Sequence, residues 1–245
     1  MANRSKPRGR PPKVAQTVTT LGPGVLTRAG IIDFALELTR SEPLQDLSMV
    51  RLSESLGVRT NAVRYHVGTR DALLSGVMNL FFRKLLEGLA PILASGMSHR
   101  DGIIAAAAAS LDLKTEYPGI TRYIMAEDRF RMFQIPPEGE TDFGATYVDA
   151  MFRLFADAGL DPADAAELWH LIALLTTATA EHVAMHHAPS HHGEFLLRQA
   201  ARFDGTTWPG LAVGIPALVR LDVRKAFDRQ IRSFVESLLD EENPG

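Results

Sequence analysis

The chain is expected to be all-α, with about ten helices arranged as a compact three-helix unit behind a basic N-terminal arm, followed by a larger helical body. Three observations carry this expectation. Apolar residues recur at three- and four-residue spacing from Val25 nearly to the C-terminus, the period of one face of a helix. No stretch shows the strict alternation of a half-buried strand, and no internal repeat is evident. The breaks in the helical pattern fall at Pro and Gly: Pro43, Gly57, Gly68, Gly96, Pro118-Gly119, Pro136-Pro137, Gly159 to Pro162, Pro189 to Gly193 and Gly205 to Pro216.

Residues 1–24 hold Pro7, Pro11, Pro12 and Pro23, no acid and few large apolar residues, and read as a disordered basic arm. Thr27 caps a first helix over 28–40, with Ile31, Ile32, Ala35, Leu36 and Leu38 on its inner side. Ser48 caps a short second helix with Met49, Leu52 and Leu56 inside, which Gly57 terminates. A third short helix follows over 60–66. Thr69, with Asp71 in the first turn where the helix dipole favours an anion, opens a long fourth helix through Leu73, Val77, Leu80, Phe81, Leu85 and Leu89. Further helices are expected near 101–116, 119–127, 141–158, 162–187, 194–203 and 222–240. Two short helices joined by a tight Gly-containing turn behind a packing helix form a helix-turn-helix, whose second helix reads DNA. Residues 25–75 are thus a helix-turn-helix DNA-binding domain and 76–245 a second helical domain.

Charge supports this division. Residues 1–75 carry eleven Lys and Arg against six Asp and Glu, whereas the remainder carries fifteen against twenty-three. A basic front suits a polyphosphate partner. Cysteine is absent, so disulfides, thiolate metal sites and thiol redox sensing are excluded. The longest apolar stretches are too short or too polar to span a bilayer, and no apolar core follows the basic N-terminus as in a signal peptide. A cytoplasmic location is expected.

From Leu26 to Leu74 the chain reads L-T-R-x-x-I-I-D-x-A-L-E-L, then L-S-M-x-x-L-S-E-S-L-G-V, then N-A-V-R-Y-H-V-G-T-R-D-A-L-L. This run resembles the DNA-binding domain of the tetracycline-repressor (TetR) family. The stretches from Ala158 to His170 and from Leu221 to Leu239 are similar to its ligand-binding domains. The resemblance implies a homodimeric, ligand-responsive transcriptional regulator without enzymatic activity, of which repression is the commoner mode, binding palindromic double-stranded operator DNA. His66 and Arg70, the latter where the family usually has Lys, match phosphate contacts. Arg59, Thr60, Asn61, Arg64 and Tyr65 fall where the family reads bases or grips the backbone. Arg64 departs from the family, which favours Tyr there. Side-chain chemistry agrees, since Arg pairs with guanine and Asn with adenine in the major groove. Arg51 and Thr69 complete the DNA-binding set.

Lys6-Pro7-Arg8-Gly9-Arg10-Pro11-Pro12-Lys13 resembles an AT-hook, an extended segment for narrow A·T-rich minor grooves; a generic basic tail is the competing reading. Members of the family commonly bind a small-molecule effector in the second domain. Met125, Phe130, Met132, Phe133, Tyr147, Met151, Phe155, Trp169, His170 and Trp208 offer aromatic and sulfur surface for such a pocket. The helix over 162–187 is apolar on more than one face, and Phe227, Ile231, Phe234, Val235 and Leu238 are at helical spacing. The resemblance places Leu171 and Leu175 with these five in a four-helix dimer interface. No cofactor is expected beyond the effector. His182 and His186, four residues apart, are weak candidates for a metal, set against a solvated helix end. Two rivals remain: a DNA-binding architectural protein working mainly through the arm, and a metal-dependent helical enzyme, for which no H-E-x-x-H, G-x-S-x-G, P-loop or dinucleotide signature is present.

Overall fold

The computed structural model describes residues 26–126 and 132–241. Eleven α-helices and two short 3-10 turns make up these residues, with no strand among them. The helices are α1 (Arg28–Leu38), α2 (Met49–Leu56), α3 (Thr60–Val67), α4 (Arg70–Ala94), α5 (His99–Glu116), α6 (Pro118–Ala126), α7 (Phe143–Asp157), α8 (Pro162–Ala184), α9 (Gly193–Ala200), α10 (Pro209–Val219) and α11 (Val223–Glu241).

Local chemistry explains where they start and stop. Thr27, Ser48, Thr69, Ser98, Asp142 and Asp161 each accept a hydrogen bond from a first-turn backbone N–H of the helix that follows, satisfying donors without an intrahelical partner. Gly57 ends α2 at φ 69°, a left-handed conformation that only glycine adopts cheaply. Pro162 begins α8, where its missing N–H costs nothing. The segment 205–216, expected as a break, instead contributes α10. Pro209 sits in its first turn and Pro216 lies inside it.

One hydrophobic core runs through the molecule. It joins Ile31, Leu36, Leu52 and Val63 of the three-helix head to Phe81 of α4, Phe155 of α7, Leu168 of α8 and Phe227 of α11. Helix α4 spans 25 residues across the expected boundary at position 75 and packs against α1, α5 and α7. A second junction closes beside it. The backbone N–H of Gly119, at the start of α6, donates to the Thr39 carbonyl at 2.8 Å. Around this contact Arg40 bonds Glu37 at 2.6 Å and Glu116 at 2.5 Å, its guanidinium lies 4.4 Å from the centre of the Tyr117 ring, and the Tyr117 hydroxyl donates to Glu37 at 3.0 Å. The segment before α7 is laced to α4 and α1 as well: the Asn79 amide of α4 donates to the Thr141 carbonyl and accepts from Phe143 N–H, and Arg28 of α1 pairs with Glu140 at 2.8 Å.

The excursion from 189 to 220 stands apart. Helices α9 and α10 pack on each other and on the Pro189–His192 turn, and no residue of α10 is buried.

Candidate nucleic-acid interface and effector cavity

Helix α3 is anchored by Val63 and Val67, both buried, and its other face is open. The turn between α2 and α3 is locked by a 2.8 Å hydrogen bond between the Ser53 and Thr60 hydroxyls, so Thr60 holds the pair of helices in register. Arg59, Asn61, Arg64 and Tyr65 are exposed, Tyr65 at 86%. Arg59, Asn61 and Arg64 find no hydrogen-bond or ion-pair partner among the described residues. Three planar or bidentate polar groups therefore project from a rigid helix with their bonding capacity unspent, the condition for reading base edges. His66 is half-buried, with its ring 5.2 Å from that of Tyr65.

The flanking residues are partly engaged. Arg51 pairs with Glu42 at 2.6 Å on the surface. Thr69 caps α4 through its hydroxyl. Arg70 donates from Nε to the Leu47 carbonyl at 3.2 Å and from Nη2 to the Gln45 carbonyl, which ties the start of α4 to the turn before α2 and leaves the Nη1 edge for another acceptor. The arm residues Lys6, Arg8, Gly9, Arg10, Pro11 and Lys13 lie outside the described residues.

In the helical body a cavity of about 250 Å³ opens between α4, α5 and α7, lined among others by Lys84, Leu85, Leu89, Ala106, Ser110 and Tyr147. Of the expected pocket residues, Tyr147 alone lines it. Met151 and Phe155 are fully buried behind it, and half-buried Trp169 lies 6.1 Å from the Tyr147 ring. Met125 and Phe133 are 58% and 64% exposed, and His170 and Trp208 also face solvent. None of these four lines the cavity between α4, α5 and α7. Met132 is half-buried, and Phe130 lies outside the described residues.

A second correction concerns α11. Phe227, Ile231, Val235 and Leu238 are buried in the core of their own chain, so they are not free to face another protomer. Phe234 lies on the outer face of α11. On α8, half-buried Leu171 and Leu175 share a face with Leu174, which is 54% exposed. The metal expectation also loses its geometry. Helix α8 ends at Ala184, and His186 turns away at φ 54°, so His182 and His186 do not share a helix face; their rings instead approach His187 and His191. Among the described residues no group of three or more His, Cys, Asp or Glu is placed to hold a metal ion.

Sequence reasoning missed Ser110 and Lys114, although two polar residues four apart within the alanine-rich α5 were visible in it. The Lys114 amine is buried and donates to the Thr176 and Thr177 hydroxyls of α8 at 2.6 and 3.0 Å. Burial pushes its pKa down to about 7, and pushes that of the Tyr147 hydroxyl up to about 12. No described helix is long and apolar enough to cross a membrane.

No protein-family model and no curated protein matches the chain. Solved structures do. Apo ActR from Streptomyces coelicolor superposes with a TM-score of 0.69 at 22% identity, over 88% of this chain and 95% of that one. ActR in complex with actinorhodin gives 0.67 at 20% identity, over 90% and 98%. A TetR transcriptional regulator from the same organism gives 0.66 at 17% identity, over 89% and 100%. The chain therefore has the all-helical fold of the TetR-type regulators.

Proposed function

We propose that the protein is a TetR-family transcriptional regulator that binds a palindromic operator as a homodimer, represses transcription from it and is released by a small-molecule effector. The observation that carries this reading is α3: a firmly packed helix whose Arg59, Asn61 and Arg64 are exposed with their hydrogen-bonding groups unspent, on a fold shared with ActR. The complex of ActR with actinorhodin supports a small-molecule effector for this chain. In this reading residues 25–75 bind DNA and the body binds the effector and a second protomer. The backbone N–H of Thr60, the side chains of Tyr65, His66 and Thr69, and the free edges of Arg51 and Arg70 hold phosphates while Arg59, Asn61 and Arg64 read bases. The outer faces of α8 and α11, with Leu171, Leu174, Leu175 and Phe234, pair across the two-fold axis. Residues 6–13 reach along the minor groove. An effector in the body acts on the head through α4 and through the Gly119–Thr39 contact, changing the separation of the two reading helices.

The test is selection of sites from a random duplex pool, followed by titration of the enriched site against scrambled DNA across a salt series. The expected result is a palindrome with half-sites roughly one helical turn, about 34–36 Å, apart. Arg64→Ala should weaken binding by about five- to 150-fold, the cost of about 1–3 kcal/mol for a lost bidentate base contact. Uniform, steeply salt-dependent binding with no enriched site would establish the architectural alternative instead.

A further inference from the structure

The helical body contains a lysine amine in surroundings that ordinarily exclude a charge. Lys114 lies at the contact of α5 with α8, and its two partners are neutral hydroxyls. Thr176 passes its own proton to the Ile172 carbonyl at 2.7 Å and so meets the lysine as an acceptor. An ammonium has three donors, and the threonines account for two. No carboxylate pairs with Lys114 among the described residues. The next acid along α8, Glu181, is held by Arg122 of α6 at 3.1 Å, and Asp112 of α5 is held by Arg224 of α11. Burying a charge without a counter-charge costs several kcal/mol, and here burial alone drives the amine toward neutrality.

The cavity wall includes Lys84 and two acids, Asp112 and Glu116, which pair with Arg224 and Arg40; the uncharged polar groups between it and Lys114 are donors. Ser110, one turn before Lys114 on the same face of α5, lines the cavity with Tyr147. Behind Tyr147 sits Trp169, whose buried indole N–H has no hydrogen-bond partner. Trp169 is two turns from Thr176 along α8, so the indole and the lysine face the same interior strip. Along the backbone of α5, Ser110 on the cavity wall and Lys114 are one turn, about 6 Å, apart. A strip that offers donors and an unmatched cation suits a guest that brings acceptors and a negative charge.

We propose that the effector is an organic acid, an apolar frame seated beside Tyr147 and Trp169 whose anionic oxygen is received by Lys114. This rests on the ligand-responsive reading above. Two dyes with one frame test it: 8-anilinonaphthalene-1-sulfonate carries the anion, and N-phenyl-1-naphthylamine lacks it. Fluorescence titration of the full chain should show the sulfonate binding at least about tenfold more tightly than the neutral dye. Lys114→Met should abolish that preference while changing neutral-dye affinity less than about threefold, and Lys114→Gln, which keeps a donor for the threonines, should do the same. A wild type without the preference, or a preference that survives in both variants, overturns the proposal. Operator titration of the same preparations separates the two failures. Sequence-selective DNA binding without an acid preference overturns the acid site alone. A Lys114-dependent acid preference without sequence-selective DNA binding upholds the site and removes the regulator reading.

Discussion

Replacing Gly119 by alanine should loosen the head from the body. A Cβ at this position would lie 2.0 Å from the Glu42 carbonyl oxygen and 2.7 Å from that of Thr39. Both obstacles are backbone, so neither can swing aside as a flexible side chain would. Restoring an ordinary contact of about 3.2 Å requires α6 and the turn after α1 to part by about an ångström. The 2.8 Å Gly119–Thr39 hydrogen bond cannot survive that displacement. Losing it costs about 1 kcal/mol, and forcing an extra carbon into a packed contact costs about 1–3 kcal/mol more. A loss of about 2–4 kcal/mol lowers the melting temperature of a chain this size by about 4–16 °C. Gly88→Ala is the control, because a Cβ there meets nothing within 4 Å and alanine favours a helix interior. Circular dichroism melts of the three proteins decide the matter, and operator titrations follow the head. If Gly119→Ala melts within about 1 °C of the wild type, the junction is not the rigid contact described here.

Three further outcomes are expected. Because the folded pKa of Lys114 lies near 7, below that of a free lysine, the unfolded chain binds more protons between about pH 7 and 10. The penalty of burying the charge is full below pH 7 and fades as pH rises, so wild-type stability should gain on the order of 1 kcal/mol per pH unit in that window relative to Lys114→Met; parallel urea-melt profiles for the two proteins would refute this. Asp142 both caps α7 through Ala145 N–H and accepts from Gln134 N–H; Asp142→Ala should cost about 1–2 kcal/mol in denaturant melts. Removing residues 1–13 should weaken operator binding most at sites with A·T-rich flanks, and an equal loss on every flank would mark the arm as a generic basic tail.

What could be read from the sequence follows the range of the interactions involved. Ser48, Gly57 and Thr69 act on neighbours within a turn, so the head could be delimited helix by helix from its caps alone. Helix α10 was hidden because Pro209, Gly210, Gly214 and Pro216 are helix-breakers in a local reading, although a first-turn proline and a short apolar helix accommodate them. The spacing of Phe227, Ile231, Val235 and Leu238 announces a buried face without saying which chain buries it, and the answer is their own. Met125 and Phe133 show how side-chain type alone leaves direction open: both are largely exposed in this chain. The unmatched charge of Lys114 became apparent only when α8 supplied two threonines and no acid, a pairing across more than sixty positions.

The shared core has a consequence for modular exchange. Head and body meet through buried side chains of α1 and α4 and through a carbonyl that admits only a glycine opposite it. A chimera cut at position 75 would leave α4 facing a foreign surface and the Thr39 carbonyl facing a residue with a side chain. Grafting this three-helix head onto another helical body therefore requires the donor's α4 and its Gly119 turn to travel together, or the recipient's to be rebuilt around them.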